Sequence, residues 1–149
     1  MSFTAPRTYG ILLVEDDPAD AMLIQDALRE RPWQHVVTQV EDGVAALQHL
    51  NDPEQPHPDL ILMDLNMPRM NGRELLAVLK ADQTLKAIPV VVLTTSAAPD
   101  DVSAAYQGYA NAYITKPVNL DDFISAVRSI DAFFLDTATR LPHEGKEGF

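Results

Sequence analysis

Four places in this chain bring together side chains with demanding chemistry. Glu15, Asp16 and Asp17 stand in a row behind an apolar run, and Asp64 closes another. Thr94, Thr95 and Ser96 end a third, and Lys116 with Pro117 ends a fourth. Carboxylates about 4 Å apart repel by roughly 4 kcal/mol per pair at an effective dielectric near 20. One lysine cannot offset Glu15, Asp16 and Asp64 together. A divalent cation can, and hard oxygen ligands with room for water suit Mg²⁺. Asp16 and Asp64 are the expected direct ligands. Glu15 would hold metal-bound water, and a backbone carbonyl near Asn66 would complete the protein's share. A carboxylate beside such a cation is a nucleophile toward phosphorus, because the incoming phosphoryl oxygens are neutralised. Phosphoryl transfer asks chiefly for positioning and charge stabilisation. Lys116 and Mg²⁺ supply positive charge, while Thr94 and the amides after Asp64 and Thr94 hold the remaining oxygens. Asp64 is therefore the expected phosphoacceptor.

Taken singly, these residues have plainer explanations. Asp17, just before Pro18, reads as the N-cap of a helix. Thr94 fits a cap as well as a ligand contact, and an isolated lysine is more often surface charge. Their common placement argues for a site, and that placement depends on the elements between them. Strand-length apolar runs occupy residues 9–14, 35–40, 59–63, 88–94 and 111–115. Several are nearly continuous, as in strands buried on both faces of a parallel sheet. Helical spacing follows Pro18, where Leu23 and Ala27, and Ile24 and Leu28, form i,i+4 pairs. Further helices are expected over 43–50, 72–80 and 99–109, and a last one after Asn119. The alternation predicts an α/β fold, a five-stranded doubly wound parallel sheet of flavodoxin-like topology with a C-terminal helical extension. In such sheets ligands sit beyond the carboxyl ends of the strands, where these acids, hydroxyls and the lysine all fall.

The whole chain narrows the classes further. Its 149 residues are 46% hydrophobic and 22% charged, as expected of one globular domain. A net charge of −11 argues against a nucleic-acid groove. No apolar run is long enough for a membrane span, and the first ten residues lack a signal-peptide pattern. The absence of cysteine excludes disulfides and fits a cytoplasmic location. The four histidines show no metal-ligand spacing.

The segments ILLVEDDP, PDLILMDLNMPRMNG, IPVVVLTTS and YITKP resemble the receiver domain of two-component response regulators. The match covers about residues 9–130, so residues 1–130 are expected to form the receiver. The resemblance implies that Asp64 is phosphorylated from the phosphohistidine of a sensor histidine kinase, with Glu15 and Asp16 as the acid pocket. It also makes Thr94 the switch hydroxyl, Tyr113 the switch aromatic and Lys116 the phosphate-contacting lysine. Family practice ties phosphoryl lifetime to the positions held here by Asn66 and Ser96. A finer match, through NAYITKPVNLDDFISAVRSIDAFFLDTATRLP, is to stand-alone regulators paired with bacterial phytochromes. The chain departs from them at Phe134, where Trp is frequent, and at Tyr109, where receivers commonly carry Gly.

Rival readings remain. A flavodoxin-like nucleotide binder shares the topology, but EDDPAD would repel phosphate unless a metal intervened. An Asp-nucleophile phosphatase would want an acid two residues after the nucleophile, where this chain has Asn66. A phosphate sink for the kinase is a third possibility. No output domain fits after residue 130, so a single-domain, non-enzymatic receiver is expected. Phe123, Val127, Ile130 and Phe134 form one apolar stripe, and Phe133, Phe134 and Leu135 lie beyond the usual receiver end. Three such side chains left in water would forgo roughly 1.5–3 kcal/mol each. Residues 131–149 are therefore expected to supply a homodimer contact followed by a frayed tail.

Overall fold

Alternation of side chains along each strand sends every second residue to the opposite face, so a strand covered on both sides must be apolar throughout. Strand β1 (Thr8–Val14) meets that demand from Ile11 to Val14. Tyr9, Ile11 and Leu13 enter one core, and Leu12 and Val14 enter the other. The computed structural model describes residues 8–29, 34–65, 69–94, 102–103, 110, 112–116 and 119–131. Its strands are β1, β2 (Gln34–Val40), β3 (Leu60–Met63), β4 (Val90–Thr94) and β5 (Ala112–Thr115). Its helices are α1 (Pro18–Arg29), α2 (Gly43–Leu50), α3 (Gly72–Ala81) and α4 (Leu120–Asp131). The sheet is parallel throughout and runs β2-β1-β3-β4-β5. This is the flavodoxin-like order, with its switch point between β1 and β3.

Helices cover both faces. Ala21, Ile24, Ala27 and Leu28 of α1 and Phe123 and Val127 of α4 close over Ile11, Leu13, Leu60, Leu62, Val91 and Leu93. Ala46 and Leu50 of α2 and Leu75, Leu76 and Leu79 of α3 close over Leu12, Val14, Ile61, Met63, Val90 and Val92. Burying each Val, Leu, Ile, Met or Phe side chain among them is worth roughly 1.5–3 kcal/mol. Phe123 and Val127, two members of the apolar stripe on the last helix, thus pack on the chain's own sheet.

Local sequence explains where the helices begin. Asp17 accepts hydrogen bonds from the amides of Ala19 and Asp20, capping α1 as expected. Asp42 does the same for α2 through the Ala45 amide. Asn71 and Glu74 form a reciprocal capping box at α3. A 3-10 turn at Leu85–Ala87, not foreseen from the pattern, starts where Asp82 accepts from the amides of Thr84 and Leu85. The helix expected over 99–109 lies outside the described residues except for Val102 and Ser103, which are helical. Asn66, Ser96, Tyr109 and the extension with Phe133, Phe134 and Leu135 also lie outside them.

Candidate functional site

Strand register delivers the reactive residues to one rim. Val14 pairs with Met63, so Glu15 and Asp64 emerge side by side from neighbouring strands. The Asp64 amide donates to Val14 O at 3.1 Å, and the Glu15 amide to Val40 O at 3.0 Å, fixing both backbones. Met63 pairs with Val92 on the other side of β3, and Thr94 pairs with Thr115, immediately before Lys116. Thr94 thus ends β4 at the same rim, though its side chain is outside what is described. Tyr113 sits two residues before Thr115, half-buried against the core under α2 and α3.

Lys116 draws the site together. Its ammonium donates to Glu15 Oε1 at 2.6 Å, to Asp20 Oδ2 at 2.7 Å and to Asp64 Oδ2 at 3.1 Å. The lysine and Glu15 side chains are only 4% and 3% exposed. Burial by itself would lower the lysine's pKa. The hydrogen bonds to Asp20 and Glu15 and the charges of Glu15 and Asp64 outweigh it and hold the ammonium well above its ordinary value. Burial dominates at Glu15 and raises its pKa, against the lowering effect of Lys116 and of the Asp17 amide. That amide reaches Glu15 Oε2 at 3.2 Å, so both Glu15 oxygens are engaged.

The structure brings Glu15, Asp64 and Lys116 together and adds Asp20, which the sequence alone does not reveal. An acid in the first turn after Pro18 reads as a helix-dipole residue, and nothing local reveals that a lysine 96 positions away will reach it. Asp16 lies exposed beside the cluster. Among the described residues, no three His, Cys, Asp or Glu side chains gather as a metal cage. A cation held by Asp16, Asp64, a main-chain oxygen and water needs no such cage. The donor chemistry fits one: three carboxylates surround one ammonium, with Asp16 as a further exposed acid, leaving negative charge in excess.

The loop from β3 to α3 is held from two sides. Gly72 N donates to Leu65 O at 3.0 Å, and a Cβ at Gly72 would stand 2.6 Å from Asp64 O and 2.7 Å from Leu65 Cα. Only glycine lets α3 start this close to the Asp64 backbone. At the loop's other side Gly43 N donates to Met70 O, and Arg69 pairs with Asp42. Arg69 has a φ of 61°, a left-handed conformation costly for a side-chain-bearing residue. The ion pair and the Met70 carbonyl bond hold it there.

This topology and rim define a class. The family model for the response regulator receiver domain matches residues 11–128, and the chain belongs to that family. The response regulator Rcp1 of Synechocystis sp. is 46% identical over 133 residues, spanning 87% of this chain and 90% of that protein. The crystal structure of the phosphorylated cyanobacterial phytochrome response regulator RcpA superposes with a TM-score of 0.88 at 45% identity, covering 91% of this chain and 100% of that one. The Mn(2+)-bound form of Rcp1 gives a TM-score of 0.86 at 44% identity, covering 90% and 99%. The particular chain is thus a response regulator receiver similar to phytochrome response regulators. Among its described residues no helix is long and apolar enough to cross a membrane.

Proposed function

We propose that the chain accepts a phosphoryl group on Asp64 from the phosphohistidine of a sensor histidine kinase and signals through the resulting change in conformation. The observation that carries this reading is the contact of the buried Lys116 ammonium with Asp64, 3.1 Å apart at the carboxyl ends of β5 and β3. In the transfer, an Asp64 oxygen forms the new O–P bond as the N–P bond of the phosphohistidine breaks, and the electron pair returns to the imidazole nitrogen. Lys116 lies where it can bond a phosphoryl oxygen. Asp16 and Asp64, with the Asn66 carbonyl, are the residues we assign to Mg²⁺. When bound, that ion neutralises phosphoryl charge. Thr94 and Tyr113 are assigned the switch, a shift between two populated states.

The likeness to phytochrome response regulators supports a bacteriophytochrome as the kinase, which would place the exchange in the cytoplasm. We assign Phe133, Phe134 and Leu135 to a homodimer contact, for which twofold pairing is the commonest arrangement. Light scattering on wild type and on a Phe133→Ala, Phe134→Ala variant checks it. A wild-type monomer at micromolar concentration refutes it. Radiolabel on a kinase's phosphohistidine should pass to wild type with Mg²⁺ present and not to Asp64→Asn. Sustained hydrolysis of a simple phosphate ester would instead indicate a phosphatase.

A further inference from the structure

Lys116 has one more carboxylate partner than phosphate contact requires. An ammonium carries three N–H donors, and here they serve Glu15 at 2.6 Å, Asp20 at 2.7 Å and Asp64 at 3.1 Å. The lysine therefore sits closest to Glu15 and Asp20 and holds the acceptor least closely. A phosphoryl group on Asp64 would add charge and three strong acceptor oxygens; the N–H now serving Asp64 can turn to one of them, and a second N–H reaches them only if Glu15 or Asp20 is released. The two tight partners differ in what release would cost. The Glu15 side chain is 3% exposed and the Asp20 side chain 25%. A carboxylate left in the interior without its cation is heavily penalised, whereas one open to water is rehydrated. Asp20 also rides on the first turn of α1, where the helix amides favour negative charge after the lysine leaves.

We propose that Asp20 is a positioning residue of the phosphoacceptor site: it holds the Lys116 ammonium aside in the unphosphorylated chain and yields it to a phosphoryl group on Asp64. The strength of that hold sets how far phosphorylation, or a mimic of it, is favoured. This rests on Asp64 being the phosphoacceptor.

Beryllium trifluoride, which imitates an aspartyl phosphate, tests both claims separately by calorimetric titration at saturating Mg²⁺. Asp20→Asn should bind it roughly three- to tenfold more tightly than wild type, the effect of one competing charged hydrogen bond removed. In a Lys116→Ala background the same substitution should change affinity less than about twofold, because the competition acts only through the lysine. If the lysine-less protein does not hold the fluoride, the extent of phosphorylation by acetyl phosphate, read by intact mass, serves for this second comparison. Equal or weaker binding by Asp20→Asn overturns the proposal. So does an undiminished effect without Lys116, which would mean that Asp20 acts through its charge alone. A wild type that takes up neither probe overturns the phosphoacceptor reading and this proposal together.

Discussion

Glu15 and Asp42 both follow strands at the carboxyl edge of the sheet, and both are almost wholly buried, at 2% and 3% exposure. Their ionisation is pushed in opposite directions. The hydrogen bond from Arg69, followed by that from the Ala45 amide, lowers the Asp42 pKa. Burial raises that of Glu15, although a lysine lies 2.6 Å away. Burial carries the difference at Glu15, and the counter-charge is also divided differently. Asp42 has a guanidinium partner and the first turn of α2, so its charge is matched and the pair fixes a loop. Glu15 shares one ammonium with Asp20 and Asp64, so the rim keeps surplus negative charge. Matched charge makes a brace, while unmatched charge makes a place for a cation and a rearrangement.

Removing the shared cation should have the largest effect. Lys116→Ala leaves buried carboxylates uncompensated and should cost on the order of 3 kcal/mol in metal-free protein. Mg²⁺ should restore part of that. Chemical denaturation with and without the ion measures both, and an unchanged midpoint would show that the cluster is not held by the lysine. Gly72→Ala comes next. Its new Cβ meets backbone at 2.6 and 2.7 Å rather than a yielding side chain, so a loss of about 1–3 kcal/mol is expected. Thermal unfolding should show it, together with slower phosphorylation because Asp64 O must move.

Asp42 sharpens the other half. A carboxylate whose folded pKa is lowered contributes stability above its unfolded value and loses it as pH falls through the folded one. Wild type should therefore lose stability below about the ordinary aspartate value of 3.8 in part through this group. Asp42→Asn should flatten that acid limb. An identical acid profile in the variant would remove Asp42 from the account. The smallest effect belongs to Arg69→Gln, since the arginine side chain is 61% exposed. Its modest destabilisation should fade in about 1 M salt, where the screening length shrinks to roughly 3 Å. The Lys116→Ala effect should persist there.

Much of this was readable in the chain. Continuous apolar runs mark buried parallel strands, so the sequence alone places Glu15, Asp64 and Lys116 at strand ends. The α2 boundaries, Gly43 to Leu50, match the expected 43–50 because a local cap and a Pro-rich exit enclose them. Asp20 was missed because its partner is remote in sequence. So was the Asp42–Arg69 pair, which spans 27 positions. The closeness of Gly72 to Asp64 O is not readable locally, because it depends on how α3 docks. The α3 capping box, Asn71 with Glu74, is local and readable in the sequence.

The central claim is that the surplus charge at this rim serves phosphorylation of one carboxylate. Treating the chain with acetyl phosphate and Mg²⁺, trapping the acyl phosphate with borohydride and mapping the reduced residue by peptide mass tests it most directly. A single modification at Asp64 is expected, dependent on the divalent ion and absent from Asp64→Asn. Trapping at Asp16, Asp20 or any other residue, or undiminished modification of Asp64→Asn, would contradict it.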